Sequence, residues 1–167
     1  MEKILNLAKK AAEEAEVFMV KSTDTPVVWE ANRLKMLETG QSTSIALRII
    51  RNGRIGFAST TRLDQPQTLV DMAVETSQFG AEARFELPSA TEYPSINVYD
   101  AEVDKVDIYD MVTMGNDIIA TLLAHTPELV CESSIGKSET EVRIINSRGG
   151  QAGYRKSIFD IGVEGTL

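Results

Sequence analysis

Residues 44–58 fix the local backbone more tightly than any other stretch of the chain. Ser44-Ile45-Ala46-Leu47-Arg48-Ile49-Ile50 and Arg54-Ile55-Gly56-Phe57-Ala58 are β-prone runs separated by Arg51-Asn52-Gly53. Such an arrangement folds back on itself as an antiparallel hairpin. Two turns are available. A two-residue Asn52-Gly53 turn sets Arg48 opposite Phe57 and Leu47 opposite Ala58. A three-residue loop with Gly53 left-handed pairs Ile49 with Ile55 and Leu47 with Phe57. The second gathers Ile45, Leu47, Ile49, Ile55 and Phe57 on one face, and a slip of one residue would scramble that face. The apolar pattern therefore predicts the three-residue loop.

The rest of the chain surrounds this hairpin with helices and further strands. Ile4, Ala8, Ala11, Ala12 and Ala15 recur at helical spacing, with Lys9, Lys10, Glu13 and Glu14 on the outer arc. A short buried strand, Glu16 to Lys21, is predicted to close at the turn Thr23-Asp24-Thr25-Pro26. Val27 to about Thr61 reads as antiparallel strand, interrupted at Asn32-Arg33 and Gly40-Gln41, where a bend or bulge is expected. A second helix is signalled by Asp64 as N-cap, Pro66 in the first turn and Gln67 three residues after the cap. Its inward stripe is Leu69, Val70, Ala73, Val74 and Ser77, and Gly80 is its stop. Arg84 to Asp104 has no sustained period. The third helix, Asp107 to about Ala124, presents Ile108, Met111, Val112, Gly115, Ile118, Ile119 and Leu122, and ends at Thr126-Pro127. Three strands follow: Leu129 to Ser134, Thr140 to Asn146, and Gln151 to about Gly165. Their turns are expected at Ile135-Gly136-Lys137 and Ser147-Arg148-Gly149-Gly150.

This order predicts an α+β fold, mainly antiparallel sheet with three helices. Arg48-Ile49-Ile50 before Gly56-Phe57 is echoed by Arg143-Ile144-Ile145 before Gly153-Tyr154, which would fit a weak internal duplication of a hairpin unit. With 167 residues, of which 43% are hydrophobic and 25% charged, a single domain over residues 1–167 is expected. A compact monomer of this mass would expose roughly 8,100 Å².

Charge and residue inventory then exclude several functions. Seventeen Lys and Arg against 25 Asp and Glu give a net charge of −8. No basic footprint exists at the level of the whole chain, so no nucleic-acid partner and no anionic membrane surface is expected. The lone Cys131 cannot form an internal disulfide, and no signal-peptide core follows Met1, so a cytoplasmic location is expected. His125 is the only histidine, which rules out a site built on two or three imidazoles.

Each remaining motif has a plainer reading. Gly136-Lys137-Ser138 resembles the end of a phosphate-binding loop, but Cys131 stands where the first glycine should be and no helix follows. Gly149, Gly150 and Gly153 read as turn glycines, because no helix begins after them. His125 reads as a helix-terminal residue rather than a catalytic one. Cys131 and Trp29 read as core side chains. Asp100, Glu102, Asp104 and Asp107 lack the glycine and terminal glutamate of a calcium loop and read as a solvated face. No catalytic, cofactor-binding or metal-ligating residue is therefore predicted in this chain.

One resemblance spans nearly the whole sequence. Ala15-Glu16-Val17-Phe18 is followed by Val27-Val28-Trp29-Glu30-Ala31-Asn32 and by Leu47-Arg48-Ile49-Ile50-Arg51-Asn52-Gly53-Arg54-Ile55-Gly56-Phe57-Ala58-Ser59-Thr60. Later come Ile145-Asn146-Ser147-Arg148-Gly149-Gly150 and Gly153-Tyr154-Arg155-Lys156-Ser157. In this order and spacing they resemble the N-terminal domain of the TldD/PmbA family, also called modulators of DNA gyrase. The resemblance implies a longer family architecture, in which a second domain of the TldD-type subunit carries a His-Glu-x-x-x-His helix and binds zinc for peptide hydrolysis. The PmbA-type subunit lacks those ligands and pairs with the first. No His-Glu-x-x-x-His occurs in this sequence, so no family metal ligand is carried over, and zinc is expected only in the C-terminal metallopeptidase domain that is absent here.

The strand-like ending at Ile158 to Leu167 leads to the expectation of a fragment or split gene product. The implied role is a non-catalytic domain that scaffolds, dimerises in a family-type homo- or heterodimer, and shapes a groove for extended peptides. The alternative role is a stand-alone binding or adaptor module.

Overall fold

The structure, a computed structural model, describes all residues from Met1 to Leu167. Its helices are α1 (Glu2–Ala8), α2 (Pro66–Ser77), α3 (Ala101–Lys105) and α4 (Ile108–His125). Its strands are β1 (Glu14–Glu30), β2 (Arg33–Leu37), β3 (Gly40–Arg51), β4 (Arg54–Thr60), β5 (Val130–Asn146) and β6 (Gln151–Thr166). The strands are hydrogen-bonded in the order β4-β3-β1-β5-β6, with β2 also paired to β1. The α+β class with a mainly antiparallel sheet is as the pattern predicts, with the short α3 added inside the stretch that lacks a period.

Residue contacts divide the chain into two compact units. The first comprises residues 1–21, 42–97 and 141–154; the second comprises residues 22–41, 98–140 and 155–167.

In the first unit, α1 and α2 bury one face of the strands. Ile4 and Ala8 from α1, with Leu69, Val70 and Ala73 from α2, pack against Ala15, Val17, Ile45, Leu47, Ile49, Ala58 and Ile145. The odd residues of β1, β3 and β5 supply this core, as the period of two requires. The α2 stripe is the predicted one, and Val74 packs at its margin. Gln65 rather than Asp64 occupies the N-cap, with no side-chain bond, and Pro66 begins the helix.

The hairpin register differs from the prediction. Arg51 pairs with Arg54, Arg48 with Phe57 and Leu47 with Ala58, so the turn is the two-residue Asn52-Gly53. Both turn residues have positive φ, 51° and 70°, the condition for a type I′ turn whose twist matches that of the strands. The helix packed on β4 decides the register. A Cβ on Gly56 would lie 2.1 Å from the Ala73 carbonyl oxygen, so only Gly56 and Ala58 are small enough to face α2. Phe57 is thereby turned to the opposite face.

Three other boundaries moved. α1 stops at Ala8, and Ala11 and Ala12 lie in the following turn, because Glu13 N–H already joins the sheet by donating to the Ile50 carbonyl at 3.0 Å. Thr23 to Pro26 makes no turn: β1 runs straight through it, and the Pro26 carbonyl accepts from Glu38 N. Ile135-Gly136-Lys137 makes no turn either, since Cys131, Ser133 and Ile135 are all buried in strict alternation along a continuous β5. The Ser147–Gly150 turn is as predicted, with Gly149 at φ 83°.

In the second unit, α4 lies on β1 and β5 through Met111, Ile119, Val27, Trp29, Cys131 and Ile135. Asp107 caps α4 by accepting from Tyr109 N at 2.7 Å, so negative charge sits where the helix dipole favours it. Trp29 is completely buried and its indole N–H donates to Asn116 Oδ1 at 3.0 Å. A Cβ on Gly115 would lie 2.1 Å from the Trp29 ring, so the helix approaches the indole as closely as a glycine allows. Ala31 and Asn32 turn β1 into β2 with positive φ, and the β1–β2 register shifts between Val28 and Trp29. The Asn32 side chain donates to the Leu129 carbonyl and accepts from Cys131 N. No helix is long and apolar enough to cross a membrane.

Candidate functional site

The first unit leaves one sheet face without a helix. The side chains there come from the positions that alternate with the core: Glu16 and Phe18 on β1, Ser44, Ala46 and Arg48 on β3, Phe57 and Ser59 on β4, and Ile144 on β5. With Thr60, Thr61 and Arg62 on the rim they enclose an open groove of about 870 Å³. Phe18 is 39% exposed and Phe57 55%, so two aromatic rings stand in water on a surface otherwise built of strand.

The floor of the groove holds an ion pair. Arg48 Nη2 donates to Glu16 Oε1, and Glu16 is buried. A buried carboxylate of this kind persists only with a hydrogen-bonded cation beside it. The Arg48 side chain keeps 40% of its surface exposed, yet its Nε is buried without a hydrogen-bond partner. The ring of Phe85 covers the guanidinium carbon at 5.3 Å, within cation–π range.

Phe85 reaches this position because residues 85–89 cross one end of the same face and are tied down there. Leu87 N donates to Glu14 Oε2 at 2.7 Å, and Asn146 Nδ2 donates to the Pro88 carbonyl at 2.9 Å. Ser89 forms a bridge with Gly149. Arg148 pairs with Glu86 and, at 3.5 Å, with Glu14. The hydrogen bond from Arg148 and then its charge hold the Glu86 carboxyl below the usual glutamate range.

A depressed carboxyl stabilises the folded state above its unfolded pKa, and that contribution is lost as pH falls through the folded pKa. The Glu86 tie is therefore complete above the ordinary glutamate value of 4.5 and disappears at lower pH. In a carboxyl-resolved NMR titration, Glu86 should show a midpoint below 4.5 that rises in Arg148→Gln. An unchanged midpoint in the variant would mean that the pair is not formed in solution.

The residues singled out from sequence lie elsewhere. His125 is the exposed last residue of α4, its ring beside Thr126 Oγ1 at 3.0 Å. Cys131 is buried in the core against α4. Asp100 caps α3, Asp107 caps α4, Glu102 pairs with Lys105, and Asp104 accepts from the Tyr99 hydroxyl. No three His, Cys, Asp or Glu residues are grouped to hold a metal ion. Lys137 Nζ donates to the Asp104 and Val106 carbonyls. The groove residues Glu16, Phe18, Arg48 and Phe57 were not anticipated. Their signal was the rejected hairpin pairing, which alone sets Arg48 beside Phe57.

A mostly antiparallel sheet with helices on one face of the first unit, and a groove on the other, defines an α+β domain with an open sheet surface. Comparison with known proteins narrows the class. Residues 15–77 match the family model described as PmbA/TldA metallopeptidase domain 1. An uncharacterized protein of Methanocaldococcus jannaschii is 25% identical over 155 residues, covering 89% of this chain and 35% of the relative. TldE from Thermococcus kodakarensis superposes with a TM-score of 0.84 at 18% identity, covering 98% of this chain and 42% of that one. A candidate modulator of DNA gyrase from Bacteroides thetaiotaomicron gives 0.85 at 18% identity, covering 97% of this chain and 39% of that one. Residues 15–77 thus match the first domain of the PmbA/TldA family in sequence, and nearly the whole chain shares its fold with TldE and the Bacteroides protein. It spans about a third of the length of the curated relative and about two-fifths of each solved chain.

Proposed function

We propose that this chain is a non-catalytic domain of a TldD/PmbA-type metallopeptidase system, and that it holds extended peptides on the open sheet face of its first unit. The observation that carries this reading is the groove of about 870 Å³, in which exposed Phe18 and Phe57 flank the Arg48–Glu16 pair. Exposed rings grouped on a regular surface mark an interaction site. The family match at residues 15–77 spans most of the groove. A cytoplasmic setting, a family-type dimer partner and hydrolysis performed by a zinc-bearing domain outside this chain complete the proposal.

Phe57→Ser tests it. The ring is 55% exposed, so unfolding stability should change by less than about 1 kcal/mol. The affinity for extended apolar peptides, read by fluorescence anisotropy, should fall about tenfold or more, as for an aromatic anchor in an interface. Unaltered peptide binding in this variant would refute the assignment of the groove.

A further inference from the structure

We infer that the groove recognises the free C-terminal carboxylate of a peptide whose last residue is bulky and apolar. This rests on the proposed peptide-holding role and specifies its ligand. The whole chain carries a net charge of −8, yet the lining of the groove contains two cations, Arg48 and Arg62, and one anion, Glu16. Glu16 is buried and engaged by Arg48, and Arg62 is paired with Asp64 at 4.0 Å, so the cationic surface the groove offers an arriving chain is the exposed part of the Arg48 side chain.

The guanidinium is also incompletely used. Glu16 takes Nη2, while Nε has no acceptor and two-fifths of the side-chain surface remains exposed. A buried N–H donor without an acceptor is costly. A carboxylate meets a guanidinium with two parallel acceptors and is the natural complement. Phe85, on an irregular segment and 45% exposed, is the ring over that guanidinium, so its displacement would open Arg48 further to the ligand.

Spacing separates a chain terminus from an acidic side chain. Arg48 and Phe57 are direct cross-strand partners, and such side chains lie about 5 Å apart at Cβ. Anion and apolar group must therefore sit close together on the ligand. In an extended peptide neighbouring side chains point to opposite faces, and those on one face are about 7 Å apart. At the last residue, carboxylate and side chain share one Cα. The terminus fits the shorter spacing.

The test titrates the full chain with fluorescein-labelled hexapeptides ending in Phe, as free acid or as amide, and with an amidated hexapeptide bearing one internal Asp. The free acid should bind about tenfold or more tightly than the amide, as expected for one charge-assisted hydrogen-bonded contact. The Asp-bearing amide should not recover that affinity. In the double variant Glu16→Gln with Arg48→Met, which leaves no buried charge unpaired, acid and amide should bind alike. Equal binding of acid and amide to the native chain would overturn the inference while leaving the peptide-holding role standing. Full recovery by internal Asp would overturn it in favour of an acidic side chain. Absence of binding by every peptide would remove both.

Discussion

Trp29→Ala should lower the unfolding free energy by roughly 3–5 kcal/mol, the range for deleting a large buried aromatic side chain. Trp29 is fully enclosed by the second unit's core, with Met111, Ile119, Cys131 and Ile135 in the same cluster. Its loss strands Asn116, whose side-chain oxygen accepts the indole N–H at 3.0 Å. Little collapse is available, because α4 already approaches the ring at Gly115, where a Cβ would be 2.1 Å away. Urea denaturation followed by far-UV circular dichroism measures the loss. A change below about 1 kcal/mol would be that of a surface position, and would mean that α4 is not seated on the indole.

The core around Trp29 was legible because both its periods are clean. Met111, Gly115 and Ile119 repeat every four residues along α4, and all three are buried as that pattern predicts. Asp107 and Thr126-Pro127 set the helix ends, and both signals act locally. The strand interruptions were harder to read. Thr23 to Pro26 and Ile135 to Lys137 carry turn residues, but turn propensity is a local preference, and burial of Thr25 and Ile135 overrides it. Alanine spacing likewise overextended the first helix, since Ala15 packs as well from a strand as from a helix.

The site was illegible for a sharper reason. Grouping Ile49, Ile55, Leu47 and Phe57 on one face satisfies hydrophobicity, but ignores how close a helix will come. α2 demands Gly56 and Ala58 beneath it, which sends Phe57 outward beside Arg48. A fact about packing at residue 73 thus decides what is displayed sixteen residues earlier in sequence, and no pattern within the hairpin reveals it.

Gly56→Val should consequently be the most damaging single change in the first unit. The new Cβ would lie 2.1 Å from the Ala73 backbone oxygen, 2.8 Å from Ser77 Cβ and 2.9 Å from an Ile49 side-chain carbon. Backbone cannot step aside as a flexible side chain can, so α2 must lift or the hairpin must slip. Overpacking of this kind costs about 1–3 kcal/mol and more where backbone is the obstacle. Thermal unfolding should show the loss, and the groove should suffer with it, because β4 carries Phe57. A neutral Gly56→Val would contradict the register and the placement of Arg48 against Phe57.

The most direct measurement is a backbone and methyl NMR titration of the intact chain with a hexapeptide ending in Phe with a free carboxylate. The account predicts perturbed resonances confined to Phe18, Ser44, Ala46, Arg48, Phe57, Ser59 and Ile144, with Phe85 shifting as its ring leaves the guanidinium. Perturbations clustered on α2 or α4, or no saturable shift at millimolar peptide, would contradict it.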